Sequence, residues 1–277
     1  MININARLSE RSFARFQCCP PAARFAFSGM ARILPCSKQD QQRLLALGVP
    51  SGKLTVTGNI KLDVSIPRLA EAEKAALRTE LGLAEPLILL GSSTWPGEEA
   101  ALIGALRRAR HSGLRCCLLI VPRHAERRVE LEEELRASGL RHHFRTRGAA
   151  LGEVDVAVAD TTGELWRLVQ LADLVFVGKS LPPHREGQTP VEAAALEKPL
   201  LFGPGMANFQ AIAADLLARG AARRVADAAA LAVQALELLG DPARRAAQAA
   251  AAAAWHRENS GAAERTLAVI REELRSR

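Results

Sequence analysis

Short apolar runs alternate with longer amphipathic segments through the middle of the chain. The apolar runs predict strands at 87–90, 116–121, 154–160, 174–177 and 200–202. The segments after them have helical periodicity and predict helices at 97–112, 125–138, 163–172, 190–197 and 208–219. Strands that are apolar on both faces are typical of a parallel sheet covered by helices on both sides. The alternation therefore predicts a doubly wound α/β domain.

The pattern changes on either side of this region. Residues 1 to about 50 predict short helical pieces, with Leu44, Leu45 and Leu47 on one face. A short strand is predicted at 54–59 and a charged amphipathic helix at 69–81. From 227 onward the chain is rich in alanine, the residue with the highest helix propensity, so we expect a helical tail.

Composition narrows the function classes only slightly. The 277 residues carry a net charge of +7, which suits an anionic ligand, a nucleic acid or an acidic membrane surface. Basic and aromatic residues do not interleave, so nucleic acid is the weakest of these three partners. The five cysteines lack metal-ligand spacing and indicate reduced thiols in a cytosolic protein. No apolar run reaches the length of a membrane span.

Candidate chemistry lies in the loops that follow the predicted strands, because ligands of doubly wound sheets bind beyond the carboxyl ends of the strands. The candidate binding residues are Ser93 and Thr94, Arg123 and His124, Gly163 and Glu164, and Gly187, Gln188, Thr189 and Glu192. Arginine and free helix N-termini suit phosphate, and carboxylates suit ribose hydroxyls. Together the loops favour a nucleotide site. Metal-ligand spacings and a G-x-G-x-x-G motif are absent from the sequence, so we predict neither a metal nor a dinucleotide cofactor.

Each loop also has a purely structural interpretation. The alternatives are helix caps at Ser93 and Thr94, capping boxes at Thr161–Glu164 and Thr189–Glu192, and an ion pair between Arg123 and Glu126. For any single loop this interpretation is the stronger one. The convergence of four loops on one edge of the sheet is what favours ligand binding.

Longer motifs resemble the 3-deoxy-D-manno-octulosonic acid (Kdo) transferases, GT-B glycosyltransferases that modify lipid A. The motifs lie at 5–12, 56–63, 93–99, 121–124, 160–165, 172–178 and 198–204, and their order and spacing span nearly the whole chain. The resemblance implies two Rossmann-like domains. Residues 1–58 would be the remnant of the N-terminal acceptor domain, and residues 59–277 the C-terminal donor-binding domain with its helical tail.

The resemblance also implies an activity, the inverting transfer of Kdo from CMP-Kdo to a lipid A precursor in lipopolysaccharide biosynthesis, at the cytoplasmic face of the inner membrane. By this resemblance Arg123 and His124 would contact CMP, Gly163 and Glu164 would line its base or ribose, and 187–192 would hold phosphate and ribose. The family's catalytic glutamate and membrane anchor have no counterpart in this chain. The catalytic residue therefore stays unassigned, with Glu98 a weak substitute, and we expect little or no transfer by this chain alone.

One departure from the family opens alternatives. The family usually has Gly-His-Asn-Pro-x-Glu where this chain has Gln188 and Thr189 in place of His and Asn, and neither can carry a charge as His does. One alternative is another GT-B enzyme, a UDP-sugar transferase or epimerase. Another is a non-catalytic nucleotide-sugar-binding subunit that needs a partner chain. The arginine-rich start, from Arg7 to Arg32, is compatible with peripheral contact to an anionic membrane.

Overall fold

The computed structural model describes residues 1–275, which form two compact units. The first unit contains Met1–Val64 together with the chain from Arg257 onward, and the second contains Ser65–His256. The end of the helical tail thus groups with the first unit, and the predicted division into residues 1–58 and 59–277 stays a prediction. The acceptor and donor roles of the two predicted segments stay predictions.

The bounds of the elements are as follows. The strands are β1 (Ile2–Ala6), β2 (Arg32–Pro35), β3 (Leu87–Thr94), β4 (Cys116–Pro122), β5 (His142–Phe144), β6 (Val156–Val158), β7 (Leu174–Val177), β8 (Leu200–Phe202) and β9 (Ala222–Arg224). The helices are α1 (Glu10–Cys18), α2 (Pro20–Ser28), α3 (Lys38–Ala46), α4 (Glu71–Glu80), α5 (Glu98–His111), α6 (Arg128–Ser138), α7 (Leu165–Leu168), α8 (Val191–Ala195), α9 (Gln210–Ala218), α10 (Ala228–Gly240), α11 (Pro242–Asn259) and α12 (Ala262–Arg275).

The first unit has a two-stranded parallel sheet that the sequence did not predict. β1 pairs with β2, and Ile33 of β2 also bridges Leu54, which is all that forms of the strand predicted at 54–59. Ile33, Leu44, Val49 and Leu54 make a small buried core. The predicted apolar face of α3 is only partly correct, because Leu44 is buried while Leu45 is exposed.

The second unit is built on a seven-stranded parallel sheet with the order β5-β6-β4-β3-β7-β8-β9. β3 pairs with β4 on one side and with β7 on the other, so the direction in which strands are added reverses at β3. Such a reversal opens a crevice at the carboxyl ends of the two neighbouring strands. The predicted doubly wound α/β domain is confirmed, and its ligand crevice is expected between the loops after β3 and β7.

Burial explains why the central strands could be predicted from the sequence. Every residue of β4, β7 and β8 is buried, as a parallel sheet with helices on both faces requires. On one face α5 packs against β3 and β4 and contacts α10, with Leu102 and Leu106 fully buried. The edge strands β5 and β9 were missed because each has three residues, with polar side chains in place of an apolar run.

Within residues 1–275, no helix is both long enough and apolar enough to span a bilayer.

Candidate functional site

The loops after β3 and β7 meet backbone to backbone at the crevice. The Gly178 N–H donates to the Ser92 carbonyl over 2.8 Å. A Cβ atom placed on Gly178 would lie 2.4 Å from the carbonyl oxygen of Ser93, closer than any real Cβ contact. Ser93 and Lys179 both have positive φ, an uncommon conformation for residues other than glycine. Glycine at 178 is therefore a packing requirement of the crevice.

Glu98 fastens the β7 loop to the start of α5. Its side chain is 1 % exposed, and its two carboxylate oxygens accept N–H groups from Lys179, Ser180 and Leu181 at 2.8, 2.8 and 3.1 Å. The N–H of Trp95 donates to the same carboxylate over 3.0 Å. Burial raises the pKa of this carboxyl, while the four N–H donors favour its ionised form. Because every contact is to backbone, Glu98 is a structural anchor, and its interpretation as a substitute base is not supported.

The ring of Trp95, in the loop after β3, contacts side chains from the loops after β4 and β7. Its ring lies edge-on to His124 and His184, with centroid distances of 5.2 and 5.7 Å, and Lys179 Nζ lies 4.1 Å from its centroid. Neither Trp95 nor Lys179 was singled out from the sequence. The loops after β4, β3 and β7 thus converge as predicted, with Trp95 at their meeting point.

Arg123 does not form the ion pair with Glu126 that the structural interpretation predicts. Its backbone N–H donates to the Thr94 carbonyl over 3.1 Å, which ties the β4 loop to the β3 loop. The residue that meets Glu126 is His124, whose Nδ1 lies 3.2 Å from the carboxylate, so the predicted Arg123–Glu126 ion pair is wrong. Within residues 1–275 the exposed Arg123 guanidinium has no ion-pair partner. It remains available to an anion.

Ser93 and Thr94 do not cap the helix that follows them. The N-cap of α5 is Gly97, in a left-handed conformation and without a side-chain cap. Thr94 is 1 % exposed, and its hydroxyl has no hydrogen-bond partner within the described chain. The capping alternative is therefore wrong for this pair.

Gly163 and Glu164 lie farther along the edge, after β6, with β4 between β6 and β3. The Glu164 carboxylate binds the Arg145 guanidinium through two hydrogen bonds of 2.7 and 2.9 Å, and this contact lowers its pKa. Helix α7 has no side-chain cap, so the predicted Thr161–Glu164 capping box is wrong. Gly163 has φ of 85° and open space at its Cα, where a side chain would otherwise project. Arg145, which directly follows the unpredicted strand β5, was missed.

The segment from Gly187 to Glu192 returns from the loop to the sheet. The Gln188 N–H donates to the Gly178 carbonyl over 3.0 Å, so both ends of the loop lie together. Helix α8 begins at Val191, whose N–H donates to the Thr189 hydroxyl over 3.3 Å, and it has only five residues. The helix start is consequently a weaker anion site than the sequence predicted.

Glu192 takes no part in capping. Its carboxylate has no hydrogen-bond or ion-pair partner within residues 1–275, and Pro190 at the N-cap has no N–H to offer it, so the predicted Thr189–Glu192 capping box is wrong. The side chain is half-buried, and this burial raises the pKa of its carboxyl. A partly buried carboxylate without a partner can accept hydrogen bonds from two neighbouring hydroxyls, one at each oxygen.

Comparison with known proteins identifies the family. The sequence profile described as 3-deoxy-D-manno-octulosonic-acid transferase (kdotransferase) matches residues 1–64. The 3-deoxy-D-manno-octulosonic acid transferase of Bordetella pertussis is 36% identical over 99% of this chain. The solved C-terminal CMP-Kdo binding domain of WaaA from Acinetobacter baumannii is 30% identical, with a TM-score of 0.60 over 65% of this chain and 94% of that domain. The chain belongs to the Kdo transferase family.

Membership of the Kdo transferase family confirms the resemblance and the predicted GT-B fold class. The chain spans 64% of the Bordetella relative and, in a match covering 79% of this chain, 50% of the Chlamydia pneumoniae relative at 33% identity. A Listeria monocytogenes protein described as a putative UDP-N-acetylglucosamine 2-epimerase shares the fold alone, with a TM-score of 0.62 over the full chain and 68% of that protein at 16% identity.

Proposed function

We propose that the crevice between the loops after β3 and β7 binds the CMP part of CMP-Kdo. The chain would then be the donor-binding part of an inverting glycosyltransferase that delivers Kdo to a lipid A precursor in lipopolysaccharide biosynthesis. Two independent lines support this function, the similarity to Kdo transferases and to a CMP-Kdo binding domain, and the convergence of unpaired polar groups at the crevice.

The observation that carries the proposal is the free carboxylate of Glu192. Two other acidic groups near the crevice are occupied, Glu98 by four backbone N–H groups and Glu164 by Arg145. Glu192 alone among these three keeps both oxygens available, which a ribose diol can use as two acceptors. The unpaired guanidinium of Arg123 is suited to the phosphate of the same nucleotide.

We expect Glu192→Gln to weaken CMP binding by about 10- to 100-fold, because a charge-assisted pair of hydrogen bonds contributes about 1.5–3 kcal/mol. Isothermal titration calorimetry with CMP measures the effect. Glu133→Gln is the control, since Glu133 is exposed on α6 and the substitution removes the same charge away from the crevice. Equal CMP affinity of the two variants would remove Glu192 from the site.

The dependence on pH has a definite sign. Burial raises the pKa of Glu192, and the diol needs the ionised carboxylate. CMP affinity should therefore fall as the pH is lowered through this raised pKa, and the fall should begin at a higher pH than an exposed glutamate would give. In Glu192→Gln this part of the pH dependence should be absent. A wild-type profile that is flat down to the onset of unfolding would contradict the assignment.

The same titration tests the alternative donors. A UDP-sugar enzyme, which the departure at Gln188 and Thr189 motivates, would bind UDP more tightly than CMP. A non-catalytic subunit would bind CMP normally, yet would transfer Kdo only when a partner chain is added. Failure of CMP to bind at millimolar concentration would exclude the proposed donor site itself.

The acceptor side of the reaction calls for a general base, which Glu98 does not provide. An inverting transfer removes the proton of the acceptor hydroxyl as the bond to CMP breaks. The Glu98 carboxylate accepts its hydrogen bonds from backbone N–H groups, and the side chain is 1 % exposed. We therefore assign the base to a group outside this crevice, and its identity stays open.

For the membrane we propose a peripheral contact through the surface of α1 and α2 at the cytoplasmic face of the inner membrane. Arg11, Arg15 and Arg24 on these helices have no ion-pair partner within the described residues, and the ring of Phe25 is 86% exposed. Basic side chains next to an exposed aromatic ring suit an anionic lipid surface.

Binding to lipid vesicles tests this contact. Vesicles that contain phosphatidylglycerol should bind the chain, and Arg11→Gln with Arg15→Gln should weaken the binding roughly 30-fold, at about 1 kcal/mol per arginine. Neutral phosphatidylcholine vesicles serve as the control. Equal sedimentation with both vesicle types would contradict an electrostatic contact.

A further inference from the structure

A second concavity of the second unit lies next to the crevice, on the other side of the β7 loop. It has a volume of about 710 Å³, within the range of roughly 300–1,000 Å³ that is usual for small-ligand sites. One wall is the tip of the β7 loop, residues 182–185, and the other is formed by 202–207 and the exposed side of α9. We call it the α9 groove. None of the ten candidate donor residues lines it.

The wall formed by the loop tip is held in place by backbone contacts. The N–H groups of Gly205, Ala207 and Asn208 donate to the carbonyls of Ser180, Arg185 and Glu186, each over 2.9 Å. A Cβ atom on Gly205 would lie 2.4 Å from the His184 carbonyl oxygen, so the two segments are in close contact. Because these backbone hydrogen bonds fix the wall, binding would need little ordering of the chain.

The lining of the groove combines an apolar floor with positive charge. Phe202, Met206, Ala213, Ala214 and Leu217 supply apolar surface, and Pro182, Pro183 and Pro204 extend it. The charged residues that line it are Arg185 and Arg224, and no carboxylate of the described chain does so. Both arginines are exposed, and neither has an ion-pair partner within residues 1–275.

Such a lining is selective in two ways. Two unpaired guanidinium groups favour an anionic head through charge-assisted hydrogen bonds. The apolar floor adds binding free energy for a hydrocarbon body in proportion to the area it covers. A neutral sugar satisfies neither feature, and a free inorganic anion satisfies only the first.

We propose that the α9 groove binds a single-chain anionic amphiphile, with its alkyl chain along α9 and its charged head at Arg185 and Arg224. The groove shares the β7 loop with the donor crevice, but the ten candidate donor residues do not line it. The proposal does not depend on CMP-Kdo being the donor.

Titration with decyl phosphate, kept below its critical micelle concentration, tests the groove by calorimetry. We expect saturable binding, weakened about tenfold by Arg185→Gln or by Arg224→Gln, since each removes one charged partner of the head. Ala214→Phe, which fills the groove from an exposed helical position, should weaken binding at least as much. Arg108→Gln is the control, because Arg108 is exposed on α5 and does not line the groove.

Three comparisons can overturn the proposal. Equal affinity for neutral decyl glucoside would mean adsorption to apolar surface without recognition of the head. Equal affinity for inorganic phosphate would mean that the apolar floor contributes nothing. Displacement of decyl phosphate by CMP would place the groove inside the donor site. Absence of saturable decyl phosphate binding also overturns it, and thermal melting of each variant separates lost binding from lost folding.

Discussion

Glu98→Ala is expected to destabilise the second unit by about 3–5 kcal/mol, the range for removing one partner from a buried charged network. Alanine would leave the N–H groups of Trp95, Lys179, Ser180 and Leu181 without their acceptor, in a region that excludes water. Urea unfolding followed by circular dichroism measures the loss. We also expect CMP binding to disappear, because Lys179 to Leu181 begin the loop that forms one side of the crevice.

Two further variants make this expectation specific. Glu98→Gln keeps one oxygen as acceptor but replaces the other with an amide donor that faces backbone N–H groups, so its stability should fall between wild type and alanine. Glu133→Ala removes an exposed helical carboxylate and should change stability by no more than about 0.5 kcal/mol. If Glu98→Ala matches Glu133→Ala in stability and still binds CMP, the loop is held by other contacts.

The role of Glu98 could not be predicted from the sequence. Its position after Gly97 identifies a carboxylate at the start of a helix, which usually means a local role in the first turn. Three of its four donors lie 81 to 83 residues further along the chain. Nothing local distinguishes a carboxylate that caps its own helix from one that fastens a distant loop.

The sheet was predictable where burial decides the residue type. β4 and β7 are covered on both faces, which requires apolar side chains at every position and leaves a continuous run in the sequence. β9 is an edge strand of the sequence Ala-Arg-Arg, with Arg224 exposed. β1 alternates isoleucine with asparagine and has no fully buried residue, so its pairing with β2 left no clear apolar pattern.

Among the candidate residues, the sequence predicted the position of the loops better than the use of their side chains. The strand order brings 93–97, 123–124 and 178–188 together, and this follows from the alternation of strands and helices. The capping motifs at Glu164 and Glu192 look alike in sequence. One carboxylate is taken by Arg145, which follows a strand too short to predict, and the other has no partner within the described chain. Tertiary neighbours, which the local motif does not contain, decide between these outcomes.

Gly178→Ala is expected to separate the loops after β3 and β7. The added Cβ would lie 2.4 Å from the Ser93 carbonyl oxygen and 2.8 Å from the Thr94 Cα, and both are backbone atoms that no rotamer change can move. Relief requires a shift of the strand ends themselves. We expect a loss of about 3 kcal/mol in the free energy of unfolding, the upper range for overpacking a buried site.

CMP affinity should fall at least about tenfold in the same variant. Binding groups that are displaced by a fraction of an ångström lose their hydrogen bonds to the nucleotide together. Gly104→Ala is the matched control. Gly104 is exposed within α5, a Cβ there meets nothing within 4 Å, and alanine should raise helix stability by up to about 1 kcal/mol. If Gly178→Ala unfolds and binds CMP like Gly104→Ala, the close approach at the crevice is not what positions the nucleotide. If Gly178→Ala loses CMP binding but keeps its stability, the fold tolerates the shift of the strand ends and the nucleotide site does not.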